Sequence, residues 1–183
     1  PANYLLLRGF EKRPDLPPFS ERYGLRAAAI AVYPTYRGIA RACGMDVLGD
    51  PSTVAEAFEL YRRHHDEYDF FFIHHKETDS AGEDGDFERK KRAIEELDAA
   101  LPLLRARMPD VLAVTADHST PVAMRAHSWH PVPLLLVSPF SGRDGTTRFT
   151  EAECARGSLG LGRSVELMPL LLAHSCRLRK YGA

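Results

Sequence analysis

The chain has 183 residues, 44% hydrophobic and 27% charged, which fits one soluble α/β domain with a real core and leaves no apolar run long enough to span a membrane. Its 24 basic and 25 acidic residues are interspersed and sum to a net charge of -1, which offers no electrostatic footprint for nucleic acid. Cys43, Cys154 and Cys176 lie far apart without C-x-x-C spacing, and no secretory leader opens the chain, so a reducing, cytoplasmic setting is expected.

The chain enters an apolar stretch, Tyr4-Leu5-Leu6-Leu7, almost at once, so residues 3–8 read as a strand ending at Arg8-Gly9. Phe10 to Tyr23 carries Pro14, Pro17 and Pro18 among many charges and reads as loop. Leu25–Val32 is apolar enough for a second strand. Pro34–Cys43 reads as a helix, with proline in its first turn and Gly44 as its stop. Met45–Leu48 is a brief extended segment. Pro51-Ser52-Thr53 then leads into a helix from Val54 to about Tyr68, with Val54, Phe58 and Tyr61 on one face.

Asp69–His75 reads as a buried strand that breaks at Lys76-Glu77-Thr78-Asp79. Residues 80–86, with two glycines and several carboxylates, read as loop. Phe87–Arg107 makes the longest helix, with Ile94, Leu97, Leu101 and Leu104 as its apolar stripe and Pro102 as a late kink or stop. Val111–Ala116 reads as a buried strand ending in Asp117-His118-Ser119-Thr120-Pro121, and His127 follows within a short loop. A strand at Pro133–Val137 comes next, and Arg143–Thr147 reads as a polar turn. Thr150 reads as the cap of a short helix with Glu153 as its box partner, and a last helix covers Ser164–Cys176. This alternation implies an α/β layered fold with a mostly parallel sheet flanked by helices, in a single domain over residues 1–183.

Ligands in such sheets sit at the carboxyl ends of strands. Two strand ends here carry ligand-type residues: Asp79 and Glu83 after one, Asp117 and His118 after the other, with His127 from the adjoining loop. Carboxylates with imidazoles suit Mn²⁺ or Zn²⁺, and five such residues exceed the demand of one ion. Each also has a plainer reading. Asp117 at a strand-to-loop junction is a turn former, His127 is an ordinary hydrogen-bonded histidine, and residues 79–86 are a solvated acidic turn ahead of a helix. Spacing by itself leaves both readings open.

A resemblance separates them. Thr78-Asp79-Ser80-Ala81-Gly82-Glu83-Asp84-Gly85-Asp86-Phe87, then Asp117-His118-Ser119-Thr120-Pro121, then His127-Ser128-Trp129-His130-Pro131-Val132-Pro133 resemble the cofactor-independent (2,3-bisphosphoglycerate-independent) phosphoglycerate mutases. The similarity is greater to their archaeal-type branch, within the alkaline phosphatase superfamily. Leu7-Arg8-Gly9, Tyr23-Gly24-Leu25, Tyr33 to Ala40, Gly44-Met45 and Tyr181-Gly182-Ala183 extend it along the whole chain.

The resemblance implies an alkaline-phosphatase-like fold and two divalent ions, Mn²⁺ first, with Zn²⁺, Co²⁺ or Mg²⁺ as substitutes. Asp79, Glu83 and His127 would hold one ion, Asp117 and His118 the other; Glu83 stands where the family carries a histidine. Arg8 and Lys76 are the candidates for cations near the phosphoryl oxygens. The implied reaction interconverts 3-phosphoglycerate and 2-phosphoglycerate in glycolysis through a phosphoserine. No segment matches the family's serine nucleophile, the aspartate before it, or its inserted domain, and Ser119 is not at the nucleophile's position. The expectation is therefore the carboxyl-terminal part of a longer mutase, inactive alone, with a bare sheet edge open to homodimer contact. Three other readings stand beside it: a metal-dependent phosphatase or phosphotransferase of the same superfamily, a non-catalytic half that binds a partner chain or has degenerated into a structural module, and a plain α/β domain without metal.

Overall fold

A computed structural model describes residues 15–178. The expected strand at residues 3–8, with Arg8, lies outside them. The chain divides into two compact units, Pro1–His75 and Lys76–Ala183.

The first unit is built on a three-stranded parallel sheet in the order β2-β1-β3. Its central strand, β1 (Ala27–Ala31), pairs along its whole length with β3 (Phe70–His74), from Ala27 opposite Phe70 to Ala31 opposite His74, and on its other side with β2 (Asp46–Val47). A strand bordered on both sides and covered on both faces has no polar face to keep. That accounts for the AAAIA sequence, in which Ala28, Ala29, Ile30 and Ala31 are wholly buried. Ala27 and Ala29 pack with Ala40 and Met45, and Phe19, Cys43, Val47 and Phe70 close around them.

The helices follow from their caps. In α2 (Pro34–Ala42), Pro34 opens the first turn, and Gly44 after it takes φ +72°. A Cβ at Gly44 would meet Pro18 Cβ at 2.9 Å, so glycine is required there on steric grounds as well. In α3 (Val54–His64), the Thr53 hydroxyl accepts from the Glu56 amide at 3.2 Å, and the Glu56 carboxylate accepts from the Ser52 amide at 2.7 Å. Val54, Phe58 and Tyr61 are buried as their spacing implies, with Ala57. This helix stops at His64, short of the expected Tyr68. The Asp69 carboxylate accepts from the Arg26 amide at 2.9 Å and from its guanidinium at 3.2 Å, and that clasp sets the chain extended for β3. A short helix, α1 (Phe19–Tyr23), occupies a stretch expected to be loop. Phe19, stacked on Phe70 with ring centroids 4.8 Å apart, anchors it, and five residues carry too little periodicity to announce a helix.

The second unit begins with the largest departure. Residues 80–86, expected as loop, belong mostly to a helix, α4 (Glu77–Asp84), closed by Gly85 at φ +72°. Its acids looked like a solvated turn because their neutralising partners are not all local. The Arg89 guanidinium reaches back to Glu77 and Asp84, each at 2.5 Å, while Lys76 pairs with Asp79. Glu77 and Asp79 in the first turn also suit the helix dipole. Asp86 caps α5 (Phe87–Arg105) by accepting the Arg89 amide at 2.9 Å. The buried stripe of α5 is Ala93, Ala100 and Leu104, with Leu97 and Leu101 partly covered; Ile94, expected in it, is half exposed. The stripe is rotated by about one residue, because the close approach is made by alanines, whose small side chains add little to the apolar pattern. Pro102 is accommodated within the helix, which ends three residues later.

The strand expected at Val111–Ala116 is β4 (Leu112–Val114), half buried, and it pairs antiparallel with β5 (Leu135–Val137) rather than joining a parallel sheet. A parallel neighbour needs a long crossover, usually helical. The connection over 115–134 contains no helix and folds back on itself through an antiparallel bridge between Ser119 and Ser128. In α6 (Glu151–Cys154), Thr150 accepts the Glu153 amide at 3.3 Å as expected, but the Glu153 carboxylate accepts from Thr147 instead of closing the box. The chain then forms a 3₁₀ turn at Ser164–Glu166 and α7 (Leu167–His174), close to the helix expected there. Among the described residues no helix is long and apolar enough to cross a membrane.

Candidate metal centre

All the described candidate ligands lie in the second unit. On α4, Asp79 and Glu83 are four residues apart and share one face. Lys76, one turn before Asp79, sets its ammonium on Asp79 Oδ2. Beyond β4 the chain turns at Asp117, whose carboxylate accepts the His118 amide at 3.1 Å. The Ser119–Ser128 bridge, with the Ser128 amide donating to the Ser119 carbonyl at 2.9 Å, returns the loop so that His127 lies beside His118. Their rings are 3.8 Å apart between centroids and inclined by 31°.

The side chains form one string. Glu83 Oε1 is 3.3 Å from His127 Nε2, which is 3.6 Å from Asp79 Oδ1. Asp79 Oδ1 is 3.7 Å from His118 Nδ1, and His118 Nε2 is 3.4 Å from Asp117 Oδ2. Asp79, His118 and His127 each offer a ligand atom within 4.8 Å of the others, the one such group of three among the described residues. Asp79 therefore faces both histidines, where the resemblance assigned His118 and His127 to different ions. The string is graded from inside to outside: the Asp79 side chain is 13% exposed, whereas those of Glu83, His127 and Asp117 are 49%, 53% and 58% exposed. An ion could reach the outer residues from solvent and be held by the inner one.

Burial pushes the Asp79 carboxyl up, but the hydrogen bonds from Lys76 and Thr120, with the charges of Lys76 and His118 nearby, outweigh it and hold the group below the usual carboxylate range. Asp79 is thus kept as an anion in a half-dry place, which is what a hard or borderline divalent cation requires of an oxygen donor. Two imidazoles with three carboxylates, and no thiolate, fit Mn²⁺ or Zn²⁺. Lys76 occupies the charge-compensating place that an ion would share. Arg8 lies outside the described residues. Ser119 donates its hydroxyl to the His130 carbonyl at 3.2 Å, a bond internal to the loop.

Three residues at the site were not among the candidates read from the sequence. Thr120 is 4% exposed and its hydroxyl meets both Asp79 and His118. The Lys90 ammonium donates to the Thr120 carbonyl at 2.6 Å, and burial pushes that lysine down, with Asp79 and Glu151 opposing. A Cβ at Gly82 would meet the Thr120 carbonyl at 2.4 Å, so α4 approaches the loop through a glycine. In sequence, Ser-Thr-Pro reads as a turn and Lys90 as one of several surface charges. Only the glycine one turn after Asp79, on the same face, hinted at a close approach.

The family described as the metalloenzyme superfamily matches residues 1–174. The chain belongs to the metalloenzyme superfamily. Among curated members, it is 50% identical over 183 residues to the "probable 2,3-bisphosphoglycerate-independent phosphoglycerate mutase" of Aquifex aeolicus, and 51% identical over 184 residues to the protein of that name from Thermus thermophilus. These alignments cover 99% or more of the chain, which spans 45% of the length of each of these relatives. The structure of the PH0037 protein from Pyrococcus horikoshii superposes with a TM-score of 0.86 at 32% identity, covering 91% of this chain and 54% of that one. A cofactor-independent phosphoglycerate mutase from Thermoplasma acidophilum, 24% identical, shares the fold with a TM-score of 0.69, over 88% of this chain and 39% of its own. This superfamily member has an α/β architecture with a parallel sheet flanked by helices.

Proposed function

We propose that this superfamily member is the metal-binding part of a cofactor-independent phosphoglycerate mutase, a cytoplasmic enzyme of glycolysis that interconverts 3-phosphoglycerate and 2-phosphoglycerate. The observation that carries the proposal is the convergence of Asp79, His118 and His127 within 4.8 Å in a chain half identical to proteins of that name. Asp79 and His127, with Glu83, would hold one divalent ion, and Asp117 with His118 a second. Bound there, such ions lower the pKa of a coordinated hydroxyl and offset charge on phosphoryl oxygens.

The chain's own residues do the rest of what falls to this part. Asp79 is kept anionic by Lys76 and Thr120, ready to ligate without first losing a proton. Once Asp79 has another cation to face, the Lys76 ammonium is available to the oxygens of a transferring phosphoryl group, where a positive charge favours the transition state. The attacking serine, which would carry the phosphoryl group between the two hydroxyls of glycerate, comes on this reading from outside residues 1–183.

Mn²⁺ titration of the purified chain by calorimetry tests the reading. The wild type takes up Mn²⁺, and Asp79→Ala removes the uptake that belongs to the first ion, because it deletes the least exposed carboxylate of the string. No heat of binding at millimolar Mn²⁺, or binding indifferent to Asp79→Ala, would overturn it.

A further inference from the structure

We propose that Thr120 is the positioning residue of this centre: its hydroxyl orients Asp79 and places the proton of His118 on Nδ1, so that His118 turns Nε2 toward an ion. The inference rests on the metal-centre reading and adds a residue and a ring tautomer to it.

The argument is a count of protons. A threonine hydroxyl has one proton to donate and lone pairs to accept with. Thr120 Oγ1 meets two partners, Asp79 Oδ1 and, at 3.1 Å, His118 Nδ1. Asp79 bears the Lys76 ammonium on its other oxygen and is a carboxylate, able only to accept. The single Thr120 proton therefore goes to Asp79. Toward His118 the hydroxyl can then only accept, so Nδ1 must carry a hydrogen. In a neutral imidazole this leaves the lone pair on Nε2, the nitrogen 3.4 Å from Asp117 Oδ2. A ligand histidine whose other nitrogen donates to a fixed acceptor has its ring and tautomer set before the ion arrives.

The acceptor is itself fixed. Thr120 is buried, its carbonyl takes the Lys90 ammonium at 2.6 Å, and α4 closes over it at Gly82, where a side chain would not fit. One residue thereby links Asp79 on the helix to His118 on the loop, the two elements that an ion would have to find already aligned.

Two measurements test this. Long-range ¹H–¹⁵N correlation of the imidazoles in the metal-free wild-type chain, at mildly alkaline pH, is expected to show His118 with its hydrogen on Nδ1 and an unprotonated Nε2. Mn²⁺ titration by calorimetry is expected to show Thr120→Val, which keeps the shape and loses the hydroxyl, binding about 10–100-fold more weakly. Thr120→Ser, which keeps the hydroxyl, is expected to restore binding to near the wild-type value. Mn²⁺ uptake unaffected by Thr120→Val, or a His118 ring protonated on Nε2, overturns the inference and leaves the metal centre standing. Absence of Mn²⁺ uptake by the wild type overturns both.

Discussion

Asp79 and Asp144 show how differently two carboxylates are used. Asp79 is partly buried and faces ligand-type side chains, whereas Asp144 is an exposed tie. It accepts from the Thr146 hydroxyl at 2.7 Å and amide at 3.1 Å, and from the Ser158 amide at 2.9 Å, closing the loop between them. Those bonds, the Thr146 hydroxyl foremost, hold the Asp144 carboxyl well below the usual carboxylate range. Because the folded value is depressed, the contribution to stability is complete above the unfolded value of about 4 and is lost as pH falls through the window below it. Asp144→Asn is therefore expected to lower the melting temperature by a constant amount at neutral pH. The gap to wild type should narrow as both proteins are taken to strongly acid pH, followed by circular dichroism. A gap that stays constant on acidification would exclude the mechanism. At this scale the five ligand-type residues were legible, because their chemistry shows in their side chains. Thr120 was not, because a threonine acquires its role from what surrounds it.

Helix α4 decides the geometry of the site at the scale of elements. It presents Asp79 and Glu83 on one face and approaches the 117–121 loop through Gly82. Its sequence has a glycine, four acids and no apolar stripe, so nothing in its periodicity announces a helix. The helix depends on Arg89 and Lys76 for its charges and on Ala81 and Gly82 for its contact. Two effects compete at Gly82. Alanine gains about 1 kcal/mol of helix propensity over glycine. The new methyl would meet a backbone carbonyl at 2.4 Å, which cannot swing aside as a side-chain end can. Overpacking of this kind costs about 1–3 kcal/mol, and the steric term is expected to win. Gly82→Ala should shift the urea midpoint down and weaken Mn²⁺ binding with it. A stabilised variant would show that α4 can move away from the loop freely.

For the whole molecule, the chain spans 45% of the length of the curated relatives, yet the described residues bring Asp79, Glu83, Asp117, His118 and His127 into one string. If the nucleophile comes from elsewhere, metal binding and catalysis separate. The purified chain with Mn²⁺ is expected to be stabilised by about 2.7 kcal/mol at a free ion concentration 100 times the dissociation constant, by mass action on the folded state. The same preparation is expected to give no conversion of 3-phosphoglycerate to 2-phosphoglycerate in an enolase-coupled assay. Measurable turnover by the chain alone would show that it carries its own nucleophile and would overturn that division of labour.

Sequence alone determined the class of fold, the identities of the ligand-type residues and most helix caps, because apolar patterning and cap chemistry act over a few residues. The Asp117-His118 pair stands directly after a β-branched apolar run, a local pattern carried by the sequence itself. Tertiary structure decided what the distant pairings control. Arg89 made a helix of an acidic stretch, and the Ser119–Ser128 bridge reversed the chain so that β4 and β5 run antiparallel. That reversal set His127 against His118, and the glycine approach of α4 set Asp79 and Thr120 beneath them. Each of these contacts joins residues that no local period relates, so only the folded chain could show that five separate side chains form one string.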